Sequence, residues 1–370
     1  MMHKVFTLLL LASVAATTAH SPSNFLRRAQ EEVEEVPTNT TGNGHEVEEI
    51  PANTTGNGLE VEEVPANTTG NGLEVEEVPA NTTGNGTRNA LPLPVADEPE
   101  GPDTVLNATV VRCDLSVLSG KKRLTGDLVL DQTCTSAPAD MGVHVSALEI
   151  IEGSLILNDT VWPSQTSVSF PRLREVNGEK VEVFNNEGLE VISMEALERV
   201  NGSLRIGRTF KGNPDMKSVS LPVLASIGGD FVIEYNAALT PLSLPALTFI
   251  GGSSSLFSNH AITSISLPSL TSVNGGMTFM SNRRLETLSF ASLSSVKGSI
   301  NIGLSFFGNR DLQSIQMPQL TEVGMRFGVW SNGALRSLSV PALASIGSHF
   351  SLFQNSFLSS MSLRLCLFRC

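Results

Sequence analysis

Residues 236–258 read "NAALTPLSLPALTFIGGSSSLFS", and residues 259–281 read "NHAITSISLPSLTSVNGGMTFMS". The second stretch repeats the first, apolar for apolar and small for small. A phrase that recurs at a fixed interval decides the architecture before any local propensity does. The anchor is Asn-x-x-Leu. It recurs as Asn186/Leu189, Asn213/Met216, Asn236/Leu239, Asn259/Ile262, Asn282/Leu285, Asn309/Leu312, Asn332/Leu335 and Asn355/Leu358. The asparagines lie 27, 23, 23, 23, 27, 23 and 23 residues apart. The two longer units carry matching insertions, "IGRTFKGN" ending at Asn213 and "IGLSFFGN" ending at Asn309. Insertions at the same place in the period leave the same edge of a stack, where repeat proteins carry specificity. Phe210, Lys211, Phe306 and Phe307 are therefore candidate recognition residues, with packing as the competing role for the rings.

Each unit holds three short apolar stretches, such as "ITSISLP" (262–268), "LASI" (224–227) and "GGDFVIEYN" (228–236). Their alternation has a period of two, and no i, i+3, i+4 pattern persists, so strands are predicted. Pro222, Pro245, Pro268, Pro318 and Pro341 follow a strand at one fixed place, where proline ends pairing and turns the chain. Gly228, Gly251, Gly275, Gly298, Gly324 and Gly347 recur at the next corner, where a left-handed backbone is expected to select them. One unit cannot bury its own apolar side, whereas stacked units form continuous internal columns. An inward asparagine both donates and accepts, and so is expected to satisfy turn backbone that the core would strand. The fold class is all-β, a right-handed β-solenoid of about eight to ten coils, with a period of 23 and two units of 27.

The consensus L-x-SLP-x-L-x-S-I-G-G-x-F-x-I-x-x-N-x-x-L resembles the receptor L domain, the leucine-rich-repeat-like solenoid of insulin- and EGF-receptor ectodomains. In style it is similar to fungal GPI-anchored cell-wall proteins of that superfamily. The resemblance covers roughly residues 105–363. It implies a disulfide between Cys113 and Cys134, closing an N-terminal cap just before the first coil. The C-terminus, "SSMSLRLCLFRC", departs from the fungal pattern, which ends in a spacer and an apolar tail. Cys366 and Cys370 either pair with each other or link to another chain.

The domain plan has three parts. Residues 1–19 read as a secretory signal peptide, with a basic Lys4, an apolar run and small residues. That run falls well short of the ~20 residues of a membrane span. Residues 20–104 carry "EVEEVPANTTGNGL" with a period of 14 and are expected to be a disordered acidic stalk. Residues 105–370 are the solenoid. Of the 37 acidic residues, 17 lie between His20 and Thr104 against 3 basic ones, leaving 20 of each sign from Val105 onward. The net charge of −13 thus belongs to the stalk, and a neutral solenoid argues against a nucleic-acid partner. Glycosylation acceptors stand at Asn39, Asn53, Asn67 and Asn81 in the stalk, and at Asn107, Asn158 and Asn201 beyond it.

These features point to a secreted, cell-surface or cell-wall protein without catalysis, binding an extracellular glycan or protein. Two alternatives were weighed. A polysaccharide-acting β-helix enzyme needs paired carboxylates or a Lys/Arg base on one face. Asp230, Glu234, Glu286 and Glu322 fall in different columns, and neither a Ser-His-Asp set, a phosphate loop nor His-Glu-x-x-His is present. An ice-binding surface has two outward hydroxyl ranks in its favour: Ser218, Ser264, Thr287, Ser314 and Ser337, and Ser220, Ser243, Ser266, Ser289 and Ser339. Most are serine, lacking the methyl, and Pro241 and Gln316 interrupt them. The scattered histidines offer no metal set, and no cofactor is expected. The final unit stops after one strand, so self-association through an uncapped C-terminal coil is expected.

Overall fold

The computed structural model describes residues 104–134, 142–159 and 166–364. The signal peptide, the stalk with Asn39, Asn53, Asn67 and Asn81, and the Cys366/Cys370 pair lie outside the described residues. The rest is a β-solenoid of about ten turns, built almost wholly from short parallel strands. Each turn visits three faces in order. Face one is an eleven-stranded sheet of two-residue strands, from Val105–Leu106 to Ser345–Ile346. Face two has eleven longer strands, from Val110–Arg112 to Phe350–Phe353. Face three is split into a four-stranded and a six-stranded sheet.

The split has a local cause. Ser218–Ser220 ends the smaller sheet and Leu242–Ser243 begins the larger, and Pro241 stands between them without an N–H to donate. The Thr240 backbone N–H and hydroxyl instead both donate to the Lys217 carbonyl, at 3.1 and 2.8 Å. In the first turn face three is replaced by a 3-10 helix, Leu115–Leu118, whose Leu118 enters the core. The expected cap before the first coil is corrected here. Cys113 follows the first strand of face two and Cys134 follows the second, so their disulfide ties turn one to turn two from within the stack. The sequence between them is degenerate in its repeat, and so hides the first two turns.

Every turn puts apolar side chains inward from all three faces, and they join in one core along the stack. The asparagine column runs beside that core. Asn186, Asn213, Asn236, Asn259, Asn282, Asn309 and Asn332 are all fully buried. The Asn259 amide donates to the Ile233 carbonyl at 2.8 Å and to Asn282 Oδ1 at 3.4 Å, while its own Oδ1 accepts the Asn236 backbone N–H at 3.1 Å. The pattern repeats from turn to turn until Asn355. A buried donor or acceptor left without a partner costs about 1–3 kcal/mol, which is why the corner keeps an amide.

The corner glycines play a different part from the one expected. Among the described glycines, only Gly120, Gly188, Gly207 and Gly303 have positive φ. The left-handed positions before the asparagines are instead held by Asn185, Tyr235, Ser258, Ser281, Ser331 and Gln354. Gly228, Gly251, Gly324 and Gly347 are selected by close approach. A Cβ at Gly251 would lie 2.0 Å from the Gly228 carbonyl oxygen of the turn below, and one at Gly347 1.9 Å from that of Gly324. Stacked turns stand about 4.8 Å apart, which leaves no room for a side chain pointing along the axis. A second polar column lines the same corner. Asp127 accepts the Ser154 N–H, Ser203 that of Asp230, Asp230 that of Ser253, and Ser253 that of Gly276.

Candidate ligand-binding corner

The two insertions leave the stack where the strands of face two end, four turns apart, after Ser203–Ile206 and Ile300–Ile302. Each opens on a glycine that needs both properties at once. Gly207 has φ +84° and Gly303 φ +77°, and a Cβ at either would strike the backbone carbonyl of Glu234 or Trp330. Neither loop projects freely. Arg208 and Lys211 close the first by paired backbone hydrogen bonds of 3.0 and 2.8 Å, and the Asn185 N–H donates to its Gly212 carbonyl at 3.1 Å. The Ser281 N–H donates to the Phe307 carbonyl of the second at 3.0 Å. Both loops therefore fold back across neighbouring turns.

Their aromatic rings meet rings from units that have no insertion. Phe210 packs on Tyr235 with centroids 5.3 Å apart, Tyr235 on Phe257 at 5.3 Å, and Phe257 on Phe307 at 6.3 Å. One row of rings thus joins the two loops. The Arg208 guanidinium lies 5.2 Å over Phe184 at one end, and further along Arg326 lies 4.7 Å over Trp330. Trp330 Nε1 donates to Ser351 Oγ at 2.8 Å. The candidate recognition residues divide by exposure. Phe210 and Phe306 are 64% and 83% exposed, Lys211 is exposed, and Phe307 is half-buried against Phe257. Tyr235, Phe257 and Trp330 were not singled out from the sequence. Their signal was an aromatic residue one or two places before the repeating asparagine.

The row surrounds a carboxyl. Glu234 accepts from Ser255 Oγ at 3.0 Å, and Thr209 of the first loop reaches over it at 3.5 Å. Burial pushes the Glu234 carboxyl above the ordinary range, opposed by the Ser255 bond and the nearby Arg205 charge. Burial, and then the Glu234 charge, push the Tyr235 phenol up to about 12. Arg205 pairs with Asp230 at 2.8 Å. Asp230, just before a face-two strand, and Glu234, at its end, therefore have one arginine between them, while Glu286 lies just before a face-three strand and Glu322 on face one. On the same outer face, Asn301 is buried with its Oδ1 accepting from Arg326 at 3.0 Å and its Nδ2 without an acceptor.

The remaining candidates are scattered. Asn107 is exposed, and Asn158 ends a face-two strand. Asn201 is exposed, but its amide donates to Asn177 Oδ1 at 2.8 Å. The serine ranks are in register on face three: Ser264, Thr287, Ser314 and Ser337 in one, Ser243, Ser266, Ser289, Gln316 and Ser339 in the other. Asp131 lies within 4.8 Å of the Cys113 and Cys134 sulfurs, which are bonded to each other. No helix among the described residues is long and apolar enough to cross a membrane. No protein-family model matches the chain, and no curated protein or solved structure shows significant similarity to it.

Proposed function

We propose that the chain is a secreted or cell-surface binding protein without catalysis, holding an extracellular glycan or protein along the corner where its two insertions meet. The observation that carries this reading is the row Phe210–Tyr235–Phe257–Phe307, which links loops four turns apart into one surface. Of the seven intervals between successive repeat asparagines, only two depart from 23 residues, and both departures build this corner. Exposed aromatic rings on a rigid frame bind with little ordering cost. The receptor L-domain resemblance, the signal-like leader and the acceptor-rich stalk agree with a place outside the cell or in its wall.

The test is an array of glycans and receptor ectodomains probed with the full secreted chain and with Phe210→Ser/Phe306→Ser. Loss of the hits at an unchanged melting temperature supports the corner. Hits that persist undiminished place the ligand elsewhere. A loss of mass on peptide-N-glycosidase treatment is the expected sign of glycosylation at Asn39, Asn53, Asn67 and Asn81.

Two further expectations belong to this reading. Leu352, Phe353, Phe357 and Met361 of the last described turn are exposed, and favour self-association through that end. Light scattering under reducing conditions should then show mass rising with concentration. The in-register serine ranks favour a second reading, an ice-binding face, which thermal hysteresis of the purified chain would decide.

A further inference from the structure

Beside the aromatic row, on the other side of the asparagine column, runs a column of cations. The residue after each asparagine is His260 in one turn, Arg283 in the next and Arg310 in the one after. Arg284 follows Arg283, and Asp311 is the one acid in the corresponding places of these three turns. All are exposed. The turns are stacked directly, since the Asn259 N–H donates to Asn282 Oδ1 and the Asn282 N–H to Asn309 Oδ1, each at 3.1 Å. The Asp311 N–H donates to the Arg283 carbonyl at 3.1 Å. His260 is held below its ordinary value by partial burial and then by the Arg283 charge beside it.

Elsewhere on the solenoid, several surface cations are paired. Lys122, Arg123, Arg174, Lys180, Arg205 and Lys217 each meet a carboxylate within 3.3 Å. Among the described residues, no carboxylate stands within ion-pair distance of Arg283, Arg284, Arg310 or Lys211. Arg172, Arg199, Lys297 and Arg336 are likewise exposed without an ion pair among the described residues, but Arg283, Arg284 and Arg310 stack on successive turns at the corner that already carries the rings.

Building on the reading of this corner as the binding edge, we infer that its ligand is an anionic glycan, such as a polyuronate or a sulfated polysaccharide, lying along the solenoid axis. The exposed Phe210 and Phe306 rings offer apolar faces to sugar C–H groups, and Arg283 and Arg310 offer guanidinium charges on two successive turns, with His260 as a neutral donor on the turn before. The rungs recur about every 4.8 Å, close to the length of one sugar residue in an extended chain. Guanidinium groups suit carboxylate and sulfate oxygens because their forked donors bind two oxygens at once. Long-range attraction along a net positive edge also raises the encounter rate, and salt screens it. An acidic peptide would satisfy the charges equally and leave the rings without sugar faces to cover.

The experiment titrates the full chain with polygalacturonate, dextran sulfate, neutral dextran and poly-glutamate, at low and high salt. The variants are Arg283→Ser/Arg310→Ser and Phe210→Ser/Phe306→Ser, each checked by thermal melting. Expected is binding to the two anionic glycans that weakens with salt, none to dextran, and about a tenfold loss of affinity in the arginine variant. The phenylalanine variant should lose affinity for the glycans and not for poly-glutamate. The inference falls, and the corner survives, if the phenylalanine variant abolishes glycan binding while the arginine variant leaves it unchanged, or if dextran binds equally well. Poly-glutamate binding more tightly than either glycan overturns the glycan class. Anionic glycan binding that neither variant alters overturns the inference and the corner together, whereas a failure to bind either anionic glycan overturns the inference alone and leaves the corner to the array.

Discussion

A single methyl group separates the two reasons a repeat can keep a glycine. Gly251 has no left-handed backbone to protect, yet a Cβ there would sit 2.0 Å from the Gly228 carbonyl oxygen, which belongs to backbone and cannot move aside. Gly333 occupies the turn after Asn332 with nothing within 4 Å of its Cβ position and no positive φ. Gly251→Ala is expected to lower stability by about 2 kcal/mol or more through forced separation of two turns. Gly333→Ala should be neutral or stabilising by about 0.4–1 kcal/mol, because alanine narrows the unfolded ensemble. Urea midpoints of the two variants check this; equal losses would mean that the turns flex enough to admit a methyl. The same scale gives a pH dependence. Burial raises the Glu234 carboxyl above its ordinary value of 4.5, so the folded state favours the protonated form. That contribution to stability is present below the unfolded value and is lost as pH rises through the raised folded value. Glu234→Gln keeps an acceptor for Ser255 and removes the charge. The variant is expected to melt above the parent at neutral pH, with the gap closing near about pH 4. A gap that does not change with pH would assign the effect to packing.

At the scale of elements, the insertions are bound to the strands they cross. Phe257 lies on a face-two strand, Ser254–Phe257, and its ring is the step of the row between Tyr235 and Phe307. Phe257→Ala is expected to cost about 3 kcal/mol or somewhat more, as truncation of a buried ring does. It should also loosen the second loop, because the Ser281 N–H is held by the Phe307 carbonyl at 3.0 Å. Hydrogen exchange should then speed at Ser281 and stay slow at Ile265, a core residue of face three. Unchanged protection at Ser281 would show that the loop is fixed by its own backbone. Much of this level was legible in the sequence. The asparagine spacing placed the insertions on one edge, and period-two alternation placed the serine ranks outward, because both follow from phase alone. Pro241 was legible as an interruption of a serine rank, though not as the break between two sheets. The folding back of the loops was not legible: whether a loop projects or packs depends on Glu234, Tyr235 and Phe257, which lie one or two turns away, and a ring one or two places before an asparagine does not say which loop it meets. The left-handed positions were hidden for a related reason. Asn185, Tyr235 and Ser258 share φ near 56° but no residue type, since the buried asparagine that follows fixes the backbone for them.

On the scale of the whole molecule, each turn touches only the turns beside it, so stability is a sum of turn and interface terms rather than one shared core. A lesson about register follows from Leu247 and Ser266. Leu247 is fully buried between faces three and one, while Ser266 is exposed on an outward rank. Leu247→Asp puts a charge with no partner among apolar side chains, which is expected to cost upward of about 4 kcal/mol, while Ser266→Ala should cost under about 0.5 kcal/mol. In a globular domain the first change would unfold everything together. Here the lesion lies just before the strand Ser254–Phe257, three turns short of Trp330 on Phe327–Trp330. Its direct damage reaches the adjoining turns, and the turns around Trp330 keep their own neighbours, including the stacked Arg326 and the Ser351 hydroxyl. The expected outcome for Leu247→Asp is a melt in which the β-sheet circular dichroism falls in two steps, with the environment of Trp330 lost only in the second. The parent and Ser266→Ala should lose both signals together. If the Leu247→Asp signals also coincide at a lowered temperature, coupling between turns outweighs the lesion and the stack behaves as one cooperative unit.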